Sequence, residues 1–214
     1  MADNVHLYGF RPYAVRSGAK LVPPVRMSVA SGQNDVSAAG SVNINAGDPL
    51  LYVSTGGVIV APTTTIVSWV CAGVAQYWSA GDGVMKIGKH YPNQTTWGTV
   101  ESRRGYVLCW PASAYTWEVD CDDKVTATTK AAYEALVHEN TEFVVPGNTT
   151  NSSADPMLDI SLHANTATLG CRIVGISGSV HNRDFSGSYV KLLVQFNEIG
   201  EAASAASASI VAGI

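Results

Sequence analysis

Residues 189–197 read YVKLLVQFN, and this stretch decides the fold class. Apolar side chains at every second position from 190 to 196 fall on one face of a strand, while Lys191 and Gln195 fall on the other. Residues 115–120 (YTWEVD) repeat the pattern, with the apolar side chains on one face and polar or acidic ones on the other. A period of two predicts half-buried strands at both places.

Further strands are predicted on either side of these two stretches. Residues 50–53 and 58–60 flank Ser-Thr-Gly-Gly, which is typical of a hairpin turn. Residues 66–76, 105–110, 158–162 and 168–176 are rich in residues that favour strands. About ten strands without strand–helix alternation predict a mainly β protein, an antiparallel β-sandwich or barrel, with a jelly roll as one form of it.

One short helix is expected near residues 128–140, which read TTKAAYEALVHEN. Tyr133, Leu136, Val137 and Asn140 follow the spacing of an amphipathic helix. Thr128 or Thr129 is positioned to cap the helix N-terminus.

The chain divides into three regions. Residues 1–35 are basic and contain Pro23-Pro24, which forces an extended backbone, so we predict an extended N-terminal arm outside the β core. Residues 36–198 form the single β-rich domain. Residues 199–214 are rich in Ala and Ser, which predicts a weakly ordered tail.

Composition excludes several function classes. Only 14% of the 214 residues are charged and the net charge is −4, whereas a nucleic-acid binder needs a basic face.

The sequence contains no signal-peptide pattern and no apolar run of about 20 residues, so we expect neither secretion nor membrane insertion. The four cysteines are too widely spaced for a zinc site, which predicts free, buried thiols and no bound metal.

No motif predicts catalysis. Residues 83–89 (GVMKIGK) match the start of a phosphate-binding loop, but His-Tyr-Pro follows where Ser or Thr and a helix are needed. Glu118, Asp120 and Asp122 share one face of a predicted strand, which we interpret as a solvated face. We therefore predict neither an enzyme nor a cofactor. A hydrolase using His163 or His181 with an acid and a serine is the alternative enzymatic hypothesis.

Several segments together carry a resemblance to a known family. They are HLYGFRPY, GDPLLYVSTG, GVAQYW, TTWGTVESRR, TATTKAAYEALVHEN, PMLDIS and DFSGSYVKLLVQFNE, in this order. The chain resembles the head decoration, or capsid cement, proteins of tailed bacteriophages over most of residues 5–198. The resemblance implies a non-enzymatic structural protein on the exterior of the virion's Hong Kong-type capsid, made in the bacterial host cytoplasm. Its partners would be the major capsid protein and copies of itself, as a trimer or dimer, with no small-molecule substrate.

The arm is where we expect the contacts to the capsid or to neighbouring subunits. The candidate contact residues are Leu7, Tyr8, Phe10, Arg11, Tyr13, Arg16, Lys20 and Arg26.

The alternative function is a carbohydrate-binding or tail-fibre-associated adhesion module. Trp78 and Trp97 border Gly-rich loops and would supply its exposed aromatic platform. Trp69, Trp110 and Trp117 lie in strand-like runs and are expected in the core.

Overall fold

Two antiparallel β-sheets form the framework of the molecule. The structure, a computed structural model, describes residues 9–16, 21–30, 43–53, 57–61, 67–78, 84–92, 105–122, 128–144, 156–165, 169–180, 182, 184–186 and 189–197. Within these ranges the strands are β1 (Arg11–Val15), β2 (Val25–Ser28), β3 (Pro49–Val53), β4 (Gly57–Val60), β5 (Trp69–Trp78), β6 (Met85–Gly88), β7 (Tyr106–Pro111), β8 (Tyr115–Asp120), β9 (Asn140–Val144), β10 (Met157–Ala164), β11 (Cys171–Ile176) and β12 (Lys191–Phe196). The predicted mainly β fold class is confirmed.

Each sheet has six strands. Sheet A has the order β1-β8-β12-β11-β9-β10, and sheet B has the order β2-β7-β5-β3-β4, with β6 paired to β5. Neither sheet closes on itself, so the sandwich is found rather than the barrel. The hairpin predicted around Ser-Thr-Gly-Gly is β3–β4, with Val53 paired to Gly57.

The main core lies between the two sheets. It contains Val190 and the inward face of β12, where residues 192, 194 and 196 are all buried as their alternation predicts. Trp117 of β8 is fully buried, and Trp110 packs against the same core. A second cluster, which includes Leu50, Cys71 and Cys109, covers the other face of sheet B, and Trp69 packs against it. Sheet B is therefore covered by apolar side chains on both faces.

The helix α1 (Lys130–Ala135) is shorter than predicted. Thr129 caps it, because its side chain accepts a hydrogen bond from the backbone N–H of Ala132 at 3.3 Å. The chain leaves helical geometry at His138, whose φ is 81°, and its N–H donates to the carbonyl of Ile173 on β11. Residue 140, predicted as the last helical position, therefore begins β9.

The described residues of the arm are part of the β domain, so the prediction that the arm lies outside the core is wrong for them. β1 pairs with β8 in sheet A, and β2 pairs with β7 in sheet B. Gly9 has φ 70°, and its backbone lies so close to Gly47 that a Cβ would be 2.9 Å from the Gly47 carbonyl. The adjoining Phe10 is 1% exposed in the main core.

The face of β8 that was predicted to be solvated is partly buried instead. Asp120 is 1% exposed and Lys191 of β12, directly opposite in register, is 0% exposed. Asn182 lies over this end of the sheet, where its side chain bonds both the backbone N–H and the carbonyl of Lys191. The connection from β11 to β12 therefore buries Asp120 and Lys191, which strand alternation alone predicts to be exposed.

The Ala/Ser-rich tail lies outside the described residues.

Candidate binding surface

The described part of the arm presents an exposed edge. β1 is the first strand of sheet A, so one of its edges has no neighbouring strand among the described residues. Pro12 on this strand suits an edge position, since proline has no N–H to donate. Tyr13 is 50% exposed and Leu21, which follows in the chain, is 78% exposed. Large apolar side chains at an open sheet edge are typical of contact surfaces.

The arm backbone is fixed to the sandwich by specific hydrogen bonds. The Tyr115 hydroxyl donates to the Val22 carbonyl at 2.5 Å and accepts from the Val22 N–H at 3.1 Å. Arg16 donates from its backbone N–H to the Ala114 carbonyl at 3.0 Å and from Nη2 to Gln195 Oε1 at 3.0 Å. These bonds fix the backbone of the two described arm segments against the sandwich.

An apolar cleft of about 440 Å³ separates the two described parts of the arm. Its lining contains no charged side chain. The lining residues are Pro12, Tyr13, Ala14, Val15, Leu21, Val22, Pro23, Pro24, Trp110 and Tyr115. We call this site the apolar cleft.

A second cleft, of about 640 Å³, adjoins the first, because Pro12 and Trp110 line both. Its lining includes Arg11, Lys89 and His90 but no acidic residue, and we call it the cationic cleft. Neither Arg11 nor Lys89 forms an ion pair within the described ranges. The cationic cleft therefore has local positive charge on a chain whose net charge is −4.

Arg26 lies apart from both clefts. Its guanidinium stacks 3.7 Å from the centroid of the Tyr106 ring, and Nη2 donates to Gln76 Oε1 at 3.2 Å. Cation–π stacking of this kind fixes the side chain on the surface of sheet B.

The structure brings only some of the predicted contact residues together. Tyr13 lines the apolar cleft and Arg11 lines the neighbouring cationic cleft, whereas Arg16 bonds Gln195. The prediction that Phe10 contacts a partner at the surface is wrong, because its ring packs between Phe143 and Phe196. Leu7, Tyr8 and Lys20 lie outside the described residues.

Most residues of these clefts were not among the predicted contacts, and three of those missed are Leu21, Lys89 and His90. The last two directly follow the strand β6, and Lys89 ends the stretch of residues 83–89 that matches the start of a phosphate-binding loop. That stretch forms a strand paired with β5 over residues 85–88. The pairing of β6 with β5 brings the two residues that follow β6 to the cleft, and no local pattern signals this placement.

Of the candidate catalytic groups in the described ranges, His163 contacts an acidic side chain, but no serine is hydrogen-bonded to it. His163 Nδ1 contacts Glu139 Oε2, while Ser161 bonds Asp159 through both its N–H (3.1 Å) and its hydroxyl (2.5 Å). Among the described residues, no three or more His, Cys, Asp or Glu side chains lie close enough together to hold a metal ion. His181 lies outside the described residues.

The four cysteines are free and buried, as predicted. Burial raises the pKa of Cys71 to about 12, and a hydrogen bond from the Gly73 N–H lowers it only in part. Burial also raises the pKa of Cys109, Cys121 and Cys171. Thiols that stay protonated at neutral pH are poor nucleophiles and poor metal ligands.

Comparison with known proteins identifies no relative. No family model, no curated protein and no solved structure matches this chain. Among the helices that the structure describes, none has the length and apolar character needed to cross a bilayer.

Proposed function

We propose that this chain is a non-enzymatic decoration protein that binds the outer surface of a bacteriophage capsid as a homo-oligomer and cements neighbouring capsomers. The proposal rests on the resemblance of its segments to capsid cement proteins and on one structural observation. That observation is the pair of adjoining clefts along the arm, one apolar and one cationic, flanked by the exposed side chains of Tyr13 and Leu21.

The shape of this surface suits a protein partner. Burying apolar side chains at this sheet edge under a partner makes the free energy of binding more favourable. The arm backbone is already fixed, so binding costs little conformational entropy. Leu21 is 78% exposed, so burying it under a partner removes more apolar surface from water than burying any half-exposed neighbour.

The cationic cleft favours an acidic partner surface. Arg11 and Lys89 line the cleft and form no ion pair within the described ranges, although Glu118 lies opposite Arg11 in the strand register, so a carboxylate from another chain would meet a cleft lined by cationic side chains. Such a pair contributes more to orientation and association rate than to affinity.

The decoration protein cements the shell if it binds the assembled shell and not the free capsid subunits. A protein that binds only the shell shifts the assembly equilibrium toward it by mass action. An oligomer engages several capsomers at once, and each contact after the first is effectively intramolecular.

The test is to strip capsids of this protein, add it back, and measure retention on the particle and the temperature at which the particle releases its DNA. We expect wild-type protein to bind and to raise that temperature, and Leu21→Asp to bind at least tenfold more weakly. The matched control is Leu162→Asp, because Leu162 is 51% exposed on β10, at the opposite edge of sheet A. Failure of the wild-type protein to bind, or equal loss in both variants, would contradict the proposal.

The adhesion alternative receives no support from the described residues. The side chain of Trp78 and the whole of Trp97 lie outside them. Trp110, which lines both clefts, packs against Tyr115 and Trp117 with ring centroids 6.5 and 6.4 Å away, so it is held in an aromatic cluster.

A further inference from the structure

Two opposite charges are fully buried in the β domain. Lys191 at the start of β12 is 0% exposed and Asp120 at the end of β8 is 1% exposed. The two residues are direct partners in the antiparallel register, and Lys191 Nζ lies 3.6 Å from Asp120 Oδ1. Both strands are interior strands of sheet A, each with a neighbour on both sides.

The lysine is held in place by its surroundings. The Asn182 side chain accepts a hydrogen bond from the Lys191 backbone N–H and donates one to the Lys191 carbonyl, both at 2.9 Å. The Nζ donates to the carbonyl of Tyr189 at 3.3 Å, and Tyr189 has a φ of 61°, in the left-handed region that a residue with a bulky side chain rarely adopts. The backbone before β12 is thus bent so that this carbonyl reaches the buried nitrogen.

The surroundings also disfavour charge. Cys121, next to Asp120, is fully buried, and desolvation is the main cause of its raised pKa. Taking the ammonium and the carboxylate out of water carries a desolvation penalty, which an uncharged product of the pair does not incur. The strand register holds the two side chains next to each other, and well-oriented intramolecular pairs reach effective molarities of up to about 10⁵–10⁸ M.

From this geometry we propose that Lys191 and Asp120 condense into an intramolecular amide that links β8 covalently to β12. A proton passes from the ammonium to the carboxylate, and the free electron pair on Nζ then attacks Asp120 Cγ. The Nζ–Cγ bond forms, and one Cγ–O bond breaks. That oxygen leaves as water with two protons that began on the ammonium. Nothing is oxidised or reduced, and no co-reactant is consumed.

The consequence for the molecule is a permanent link between two interior strands at one end of sheet A. The link closes a loop between residues 120 and 191, so the unfolded chain loses conformational freedom, as it does with a disulfide. The free cysteines provide no such link in the described residues.

The experiment is intact-mass spectrometry of the purified, denatured full-length protein, followed by proteolysis and peptide mapping. We expect a mass one water below that calculated from the sequence, and a branched peptide that joins the segments carrying Asp120 and Lys191. A full sequence mass, with the two segments recovered as separate peptides, would overturn the proposal.

Two variants exclude another source of water loss. Asp82–Gly83 is a dipeptide that can also lose water, by forming a succinimide. Lys191→Met must restore the full calculated mass, while the control Lys130→Met, at an exposed lysine of α1, must keep the loss. Water loss that persists in Lys191→Met would overturn the proposal. If that variant does not fold, the presence or absence of the branched peptide in the wild-type digest tests the proposal instead. The measurement uses isolated protein, so its outcome is independent of capsid binding.

Discussion

At the scale of single residues, Phe10 shows how tertiary contacts decide the role of a side chain. Its ring lies 4.8 Å from the Phe196 ring and 5.7 Å, edge to face, from the Phe143 ring. Nothing in the surrounding basic segment signals this, because its partners are more than a hundred positions away in the chain. Tyr13, three residues later, is half exposed.

This contrast gives a matched pair of variants. Phe10→Ala should lower the free energy of unfolding by about 3–5 kcal/mol, because it leaves a cavity between two rings. Tyr13→Ala should change it by about 0.5 kcal/mol or less, since the side chain is largely solvated. Denaturant unfolding of both variants checks this. Equal, small effects would mean that Phe10 is a surface residue of the arm after all.

The buried thiols give a pH-dependent contribution to stability. The pKa of Cys71 rises from its usual 9.0 to about 12 in the folded state. A pKa raised by folding contributes stability that is complete below pH 9 and is lost as the pH rises toward 12. The free energy of unfolding should therefore fall over this window, and Cys71→Ala should lose less of it than the wild type. An identical alkaline loss in the variant would contradict the burial of this thiol.

At the scale of elements, local pattern predicts what depends on local sequence. The alternation in β8 and β12, the β3–β4 hairpin and the cap at Thr129 were all predictable, because each follows from neighbouring residues. The end of the helix was not. It is set by the bond from the His138 N–H to β11, a contact that the helical spacing of residues 128–140 does not encode.

The cap can be tested against its neighbour. Thr129→Ala removes the acceptor for the Ala132 N–H and should cost about 0.5–2 kcal/mol of the free energy of unfolding. Thr128→Ala, one position earlier, is the control and should cost markedly less. Thermal or urea unfolding measures both. If Thr128 were the more sensitive position, the helix would begin one residue earlier than described.

At the scale of the whole molecule, the clefts and the buried pair come from sheet assembly. Lys191 and Asp120 meet because β12 lies beside β8, although 71 positions separate them in the chain. The two clefts join residues of β1, the segment 21–24 and the end of the β5–β6 hairpin. The strand order that creates these contacts is not contained in any local period, so neither site could be predicted from the sequence.

The two clefts also predict how binding responds to salt. Burial in the apolar cleft is not screened, whereas ion pairs at Arg11 and Lys89 are, with a Debye length of about 3 Å at 1 M salt. Retention on capsids should therefore weaken only modestly between low salt and about 1 M salt. Complete release at moderate salt, measured by sedimentation of the particles, would mean that the cationic cleft alone holds the protein.

The central claim is that this chain decorates a capsid through its arm. The most direct measurement is a reconstruction, by electron microscopy, of purified particles that carry the protein. We predict two-sheet density on the outer surface of the shell, shared between capsomers, with β1 and Leu21 against the capsid and β10 facing away. Particles without this density, or with β1 turned toward solvent, would contradict the claim.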